Sequence, residues 1–442
     1  MNMTSGSLSK QILCFSIPLI LSNLLQICFN MSDIAVVGKF SGPEALGAVG
    51  STTILVTLFT GFLIGMGNGV NVLVARYLGR KDDKAVKEAV HSSVIICFIS
   101  GLLLLVLGLI FSGKLLHVLN TKQELIGGAK LYLKIYFWGM PALAVYNFGN
   151  AVLSAAGDTK RPLYYLATAG IINVVLNLLF VVVFKRSVDG VAAASVISQY
   201  ISAVLIVSFL VKHKLVYGIE TKSLKLNKKY AADILKLGLP SGFQNAIFAI
   251  ANLFIQTGVN SFDAVVVEGN AAAANADPLI YDVMAAFYMA CSSFMSQNHG
   301  AGNKKRVIKS YYISLAYSAG AGAVLGFLMV VFGHQFLSLF TNEQQVINEG
   351  MIRLEIMGFS YVISAFMDCT IAASRGLGKT LVPTVIVVIG SCIFRVAWIY
   401  TVFAYFQTIF SLYLLYAFSW TITAVAEIIY FVMAYKKAVS IY

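Results

Sequence analysis

Charge is what this chain has least of. Only 12% of its 442 residues are Asp, Glu, Lys or Arg, against 59% hydrophobic. A soluble globular domain carries about 25% charged residues, so that class is excluded at the outset. Cysteine is scarce too. The six (Cys14, Cys28, Cys97, Cys291, Cys369, Cys392) form no CxxC and all fall in or beside apolar runs, which argues against a disulfide framework or a zinc site. The five histidines (His91, His117, His213, His299, His334) are dispersed and show no HExxH or comparable metal spacing. A membrane-embedded enzyme would need His, Asp or Cys gathered at one depth, and no such cluster appears, so no enzymatic activity and no cofactor are expected. One near miss to a phosphate-binding loop, AxxxxGKT from Ala373 to Thr380, lacks its first glycine and follows a hydrophobic helix rather than a strand. No A-x-A-like site follows the first apolar run, so the first helix is expected to remain uncleaved.

What the chain has is apolar runs of about 20 residues following one another from end to end, each able to cross a ~30 Å hydrocarbon core. Backbone polar groups in lipid must pair internally, which leaves helices or a closed barrel. LLLLVLGLIF and VLNLLFVVVF lack the dyad alternation of barrel strands. The expected fold is therefore all-α and integral to the membrane, with twelve spans near 12–36, 46–74, 89–112, 128–155, 162–184, 191–211, 235–258, 271–297, 308–333, 349–374, 381–405 and 410–434. Of the 32 Lys and Arg, 23 fall on the side that holds the N-terminus. Eight, Arg353 among them, fall on the other side, and Arg395 lies within a span. That bias predicts cytoplasmic N- and C-termini. It also accounts for the net charge of +13 without nucleic acid, because the charges are spread over many short loops.

The chain is written twice. Pro240, Asn245 and Asn252 stand 222 residues after Pro18, Asn23 and Asn30. Gly300 follows Gly79 by 221, and Gly378, Thr380 and Pro383 follow Gly157, Thr159 and Pro162 by the same step. Six spans per half is an even number, so both halves share one orientation, a parallel repeat about the membrane normal. The expected organisation is an N-terminal lobe over 1–211, a basic cytoplasmic linker over 212–234, and a C-terminal lobe over 235–442. The linker is expected as surface chain or a short amphipathic helix.

One stretch stands out in this apolar background. From Ile17 to Gly42, Asn23, Gln26, Asn30 and Asp33 recur at steps of three, four and three, on one stripe of a helix. A carboxylate at that depth costs several kcal/mol, by order of magnitude, unless it faces protein, water or an ion. Helix packing by a satisfied acid and an ion or proton site are the two readings of that stripe. Asn173 and Asn177 lie one turn apart on the fifth span, and Asn177 falls roughly 22 Å in from Pro162 by helical rise, in the outer half where Asp33 also falls.

Layout and motifs together resemble the multidrug and toxic compound extrusion (MATE) family of efflux antiporters, over essentially the whole chain. The resemblance is carried by DIAVVG (33–38), VARYLGRKDD (74–83), AAGDTKRP (155–162), INVVLN (172–177), SQNHGAGNKKR (296–306) and SRGLGKTLVP (374–383). It implies a first-helix acid working with polar groups of the fifth and sixth spans in an N-lobe cation or proton site: Asp33, Asn173, Asn177 and Ser195. Many members carry an acid where Asn177 stands and Thr where Ser195 stands, so the strength of cation binding is the point of departure. No metal is expected beyond a sodium ion at Asp33, and oxygen ligands of this kind suit a hard cation.

Other candidates follow from their cost in lipid. Gln26, Asn30, Asn245, Asn252 and Gln256 form stripes that either line a cavity or pack helices. Asp282 is a candidate for a cationic substrate or a proton. Asp368 and Arg395, at depths of ~10 and ~18 Å by helical rise, are close enough to form a buried pair, and Asp368 is also a candidate substrate carboxylate. Ile255 stands where the second half would repeat Asp33. The expected function is secondary active export of organic, mostly cationic and amphiphilic compounds across the plasma membrane in exchange for H+ or Na+. A monomer in contact with membrane lipid is expected. The alternative is a lipid-linked oligosaccharide or lipid flippase of the same superfamily, which a membrane interior with Arg395 as its single basic residue disfavours.

Overall fold

The computed structural model describes residues 1–119 and 121–440. No strand occurs among them. The helices are α1 (Leu8–Phe40), α2 (Gly42–Arg80), α3 (Asp83–Val118), α4 (Gln123–Phe137), α5 (Met140–Ala155), α6 (Lys160–Leu178, continued by a π turn Leu179–Val183), α7 (Val188–Lys212) and α8 (Lys228–Val259). They continue with α9 (Ala264–Ala274), α10 (Ala276–Gly300), α11 (Lys304–Val331), the short α12 (Gly333–Leu337) and α13 (Gln344–Gly376). The next rod is built of α14 (Leu381–Val387), a π turn (Val388–Ile393), α15 (Phe394–Trp398), a second π turn (Ile399–Phe403) and α16 (Ala404–Phe406); α17 (Ile409–Ser440) follows.

Eleven of these rods are long and apolar enough to cross a membrane among the described residues. The twelfth crossing, fourth in order, is interrupted. α4 and α5 are 15 and 16 residues long and break at Trp138–Gly139, because Pro141 has no N–H to give and its ring displaces the carbonyl of the preceding turn. The fold is therefore all-α, twelve crossings in two sets of six. Apolar side chains such as Ile110, Val175, Phe327, Phe359 and Ile429 stand exposed along the rods, a surface suited to hydrocarbon rather than water.

The packing falls into two compact units. The first holds Met1 and Leu21–Ala246; the second holds Asn2–Ile20 and the chain from Ile247 onward. This differs from the boundary read in the sequence. Within 212–234, Ile219, Tyr230, Ala231 and Ile234 are buried in the core of the first unit. Between α7 and α8 the chain runs as a docked strap with one 3-10 turn (Thr221–Ser223), and residues 228–234 already belong to α8. The Glu220 N–H donates to His91 Nε2 (3.1 Å), and Asn227 donates to Ser92 Oγ and Glu88 Oε2. Conversely, Met3, Leu8, Ile12, Phe15 and Leu19 pack on Ala286, Phe287, Ala290 and Phe294 of the second unit.

Repeat landmarks turn out to be helix junctions. Gly157 (φ +81°) and Gly378 (φ +76°) adopt the same left-handed conformation after a helix, where a Cβ is disfavoured. Thr159 and Thr380 then stand just before α6 and α14, with Pro162 and Pro383 in the first turn. In the first unit the glycines of α2 serve close approach: a Cβ on Gly65 would lie 2.3 Å from the Gly242 nitrogen, and one on Gly69 2.6 Å from that of Gly238. Small residues at fourfold spacing let two backbones meet in this way.

Candidate functional site

The acid at the end of the α1 stripe is brought to α6 by a contact one turn earlier on each helix. The Phe29 ring of α1 packs against Gly170 of α6, so close that a Cβ there would overlap the ring at 1.8 Å. Four residues after Phe29 comes Asp33, and three and seven after Gly170 come Asn173 and Asn177. Helical spacing therefore turns all three toward one another.

Asn177 Nδ2 donates to Asp33 Oδ1 at 2.5 Å and to Asn173 Oδ1 at 3.2 Å. From α7, Ser195 Oγ donates to Asp33 Oδ2 at 3.2 Å, and Asn173 Nδ2 reaches Ser195 Oγ at 3.5 Å. Asn173, Asn177 and Ser195 are buried, whereas Asp33 is half-buried. The four residues named from the resemblance thus form one hydrogen-bonded cluster inside the first unit. One atom is left over. Asn177 Oδ1 is buried and has no hydrogen-bond partner among the described residues. An orphaned buried acceptor costs on the order of 1–3 kcal/mol, so this oxygen suits a cation or a water beside the carboxylate. The donor set is all oxygen, fitting sodium better than a soft metal; no group of three or more His, Cys, Asp or Glu suited to a metal occurs among the described residues.

Replacing Gly170 by Ala should therefore disturb the site without touching its charge. Overpacking of this kind costs roughly 1–3 kcal/mol, read as a fall in Tm of detergent-solubilised protein. Adding Phe29→Ala to Gly170→Ala should restore part of the loss. Strict additivity of the two changes would count against the contact.

The other polar residues of the stripes lie apart from this cluster. Asn245 Nδ2 donates to the Gly61 carbonyl at 2.9 Å, joining α8 to α2. Gln26 and Asn30 are exposed and bond to each other at 3.4 Å, and Gln256 bonds Asn260 at 2.8 Å. Asp282 of α10 and Asp368 of α13 are half-buried.

The pairing of Asp368 with Arg395 is not formed: among the described residues the ion pairs are Lys87–Glu220, Arg161–Asp158, Arg186–Asp189 and Arg353–Asp277. The Arg395 guanidinium turns instead to Ser419 Oγ (3.1 Å) and Asn252 Oδ1 (3.4 Å), lying over aromatic rings. Two features escaped the sequence reading. Arg353, counted there among the outer charges, is buried on α13 and pairs with Asp277. Glu427 of α17 is fully buried, and neither carboxylate oxygen has a hydrogen-bond partner among the described residues. A single acid in an apolar run was the available signal for Glu427.

The sequence model of the MatE family matches residues 18–179 and 240–401, once per half. The chain belongs to the MatE family. Two relatives of this MatE-family chain come from Bacillus subtilis. The probable multidrug resistance protein YpnP is 31% identical over 81% of the chain and 80% of its own length. The probable multidrug resistance protein YoeA is 28% identical over 84% and 82%. Among solved structures, the outward-facing conformation of a multidrug resistance MATE transporter of the MOP superfamily superposes with a TM-score of 0.90 at 21% identity, over 99% of this chain and 98% of that one. The MatE family consists of transporters, so this is a multi-pass membrane transporter and not an enzyme.

Proposed function

We propose that this chain is a secondary active efflux transporter of the plasma membrane, exporting organic, mostly cationic and amphiphilic compounds in exchange for H+ or Na+. In this reading it works as a monomer in contact with membrane lipid, with both termini in the cytoplasm. The single observation that carries the reading is the Asp33 cluster: a half-buried carboxylate held by two donors, beside a buried oxygen left without a partner. The names of the two Bacillus relatives support multidrug export over the flippase alternative.

Asp33 is the coupling acid in this account, alternating between a protonated form and a charged form that holds a cation. A ligand moves a conformational equilibrium only as far as it binds the two states differently. Cation entry at Asp33 from outside disfavours the drug-holding state and releases the drug outward. Asn177 sets the ion preference, because its amide occupies a position that a second carboxylate could take.

The test is ethidium transport in proteoliposomes of purified protein, with proton and sodium gradients imposed separately. Export driven by either gradient is expected; none under both would overturn the reading. Asn177→Asp sharpens the result. Two carboxylates within hydrogen-bond reach cannot both stay ionised without a proton or cation between them. Sodium should therefore drive that variant at a lower concentration than the wild type, and an unchanged sodium dependence would remove Asn177 from the ion site.

A further inference from the structure

We propose that Arg395 is a resident cation that fills, in the second half of the chain, the place the coupling ion takes in the first, so that one mobile-ion site serves the whole transporter. The proposal rests on the reading of the Asp33 cluster given above.

The register points to it. Within α8, Asn252 stands 222 residues after Asn30, and Ile255 the same distance after Asp33. The start of α14 repeats that of α6 at 221, through Thr159 and Thr380. The π turn Val388–Ile393 then intervenes, and a π turn inserts one residue into a helix. Beyond it the step becomes 222, and Arg395 stands 222 after Asn173. Tyr416 of α17 follows Ser195 by 221. The counterparts of Asn173 and Ser195, which meet beside Asp33 in the first unit, thus meet again in the second as Arg395 and Tyr416, joined there by Asn252, the counterpart of Asn30.

The chemistry at that place is inverted. Where the first half has a carboxylate, the second has Ile255, buried in an apolar cluster with Leu412, Tyr413 and Leu415. Where the first half has an amide, the second has a guanidinium, 2% exposed. Its carbon lies 4.8 Å from the centroid of Tyr416, 5.7 Å from that of Phe248 and 5.8 Å from that of Trp420. Nε donates to Ser419 Oγ and Nη1 to Asn252 Oδ1. No Asp or Glu comes within ion-pair distance of it among the described residues. Three aromatic faces and two neutral acceptors hold the charge, as ring quadrupoles hold cations in aromatic cages. A free cation at the same spot would meet a fixed like charge in a medium that screens poorly, so that place admits none.

The cage is tested by Arg395→Ala, which leaves a guanidinium-shaped space lined by Phe248, Tyr416 and Trp420. Guanidinium chloride at low millimolar concentration should recover most of the Tm lost by the purified variant, whereas sodium chloride and urea at equal concentration should not. Wild type should show no such gain. Absence of a guanidinium-selective shift overturns the proposal.

The ion count is tested on the wild type, so the proposal stands or falls even if Arg395→Ala does not fold. Exchange of one monovalent cation for one ethidium cation moves no net charge, so gradient-driven ethidium export in proteoliposomes should be indifferent to an imposed membrane potential. Export that responds to the potential, as two cations per ethidium would make it, overturns the proposal. Gradient-independent transport would instead overturn the coupling role of Asp33, and the guanidinium measurement then decides for Arg395 alone.

Discussion

Asp33→Asn should abolish gradient-driven ethidium export in proteoliposomes while leaving a folded, membrane-inserted protein. The substitution is nearly isosteric, and an amide oxygen in place of Oδ1 still accepts from Asn177 Nδ2, so the junction of α1, α6 and α7 keeps its geometry. What is lost is the charge that distinguishes a cation-bound from a cation-free site. Coupling free energies between two sites typically run to about 1–3 kcal/mol, about 5–150-fold in affinity. Ethidium release should therefore stop responding to the ion gradient, and accumulation should fall to that of protein-free vesicles. Ethidium binding measured without a gradient should change far less. Undiminished export by Asp33→Asn would sink the assignment, whatever the ion.

How much of this was legible beforehand follows from the kind of signal each residue sends. Asp33 is a carboxylate in an apolar run, and its cost in lipid makes it visible in one dimension. Asn173 and Asn177 are visible by their spacing, and the twofold repeat by its constant step. The contact that brings the site together was not visible, because Gly170 and Phe29 are ordinary membrane-helix residues until the two helices are laid side by side. The compact units are divided by a related cause. Polarity marks where the chain leaves the membrane, but the cores are divided by packing, and α1 and α8 each contribute their two ends to different units. Arg395 was read by charge alone and assigned the nearest acid, when aromatic faces, which carry no charge in a sequence, were its partners.

Arg353 makes the same point with a larger energetic consequence. Its position five residues into the tenth expected span made it look like a flank of the outer loop. In the fold its side chain is 6% exposed, with Nη2 on Asp277 Oδ2 at 2.5 Å and Nη1 on Asn270 Oδ1 at 2.9 Å. The Tyr361 hydroxyl donates to the other Asp277 oxygen, and Tyr413 donates to Asn270 Oδ1 at 3.0 Å. The network joins α9, α10, α13 and α17 where the eighth crossing breaks at Asn275, so it secures a helix end that has lost its own continuity. Removing one partner of a fully buried ion pair costs about 3–5 kcal/mol, because the other charge stays behind unpaired. Asp277 is 25% exposed, so water screens part of that charge and the loss falls below this range. Arg353→Ala should accordingly lower the Tm of the purified protein by far more than a surface Lys→Ala change. Combining Arg353→Met with Asp277→Asn should cost less than the sum of the two single changes, since the double variant strands no charge. Additive losses would mean that the two side chains do not act as a pair, and that the break at Asn275 is held by packing alone.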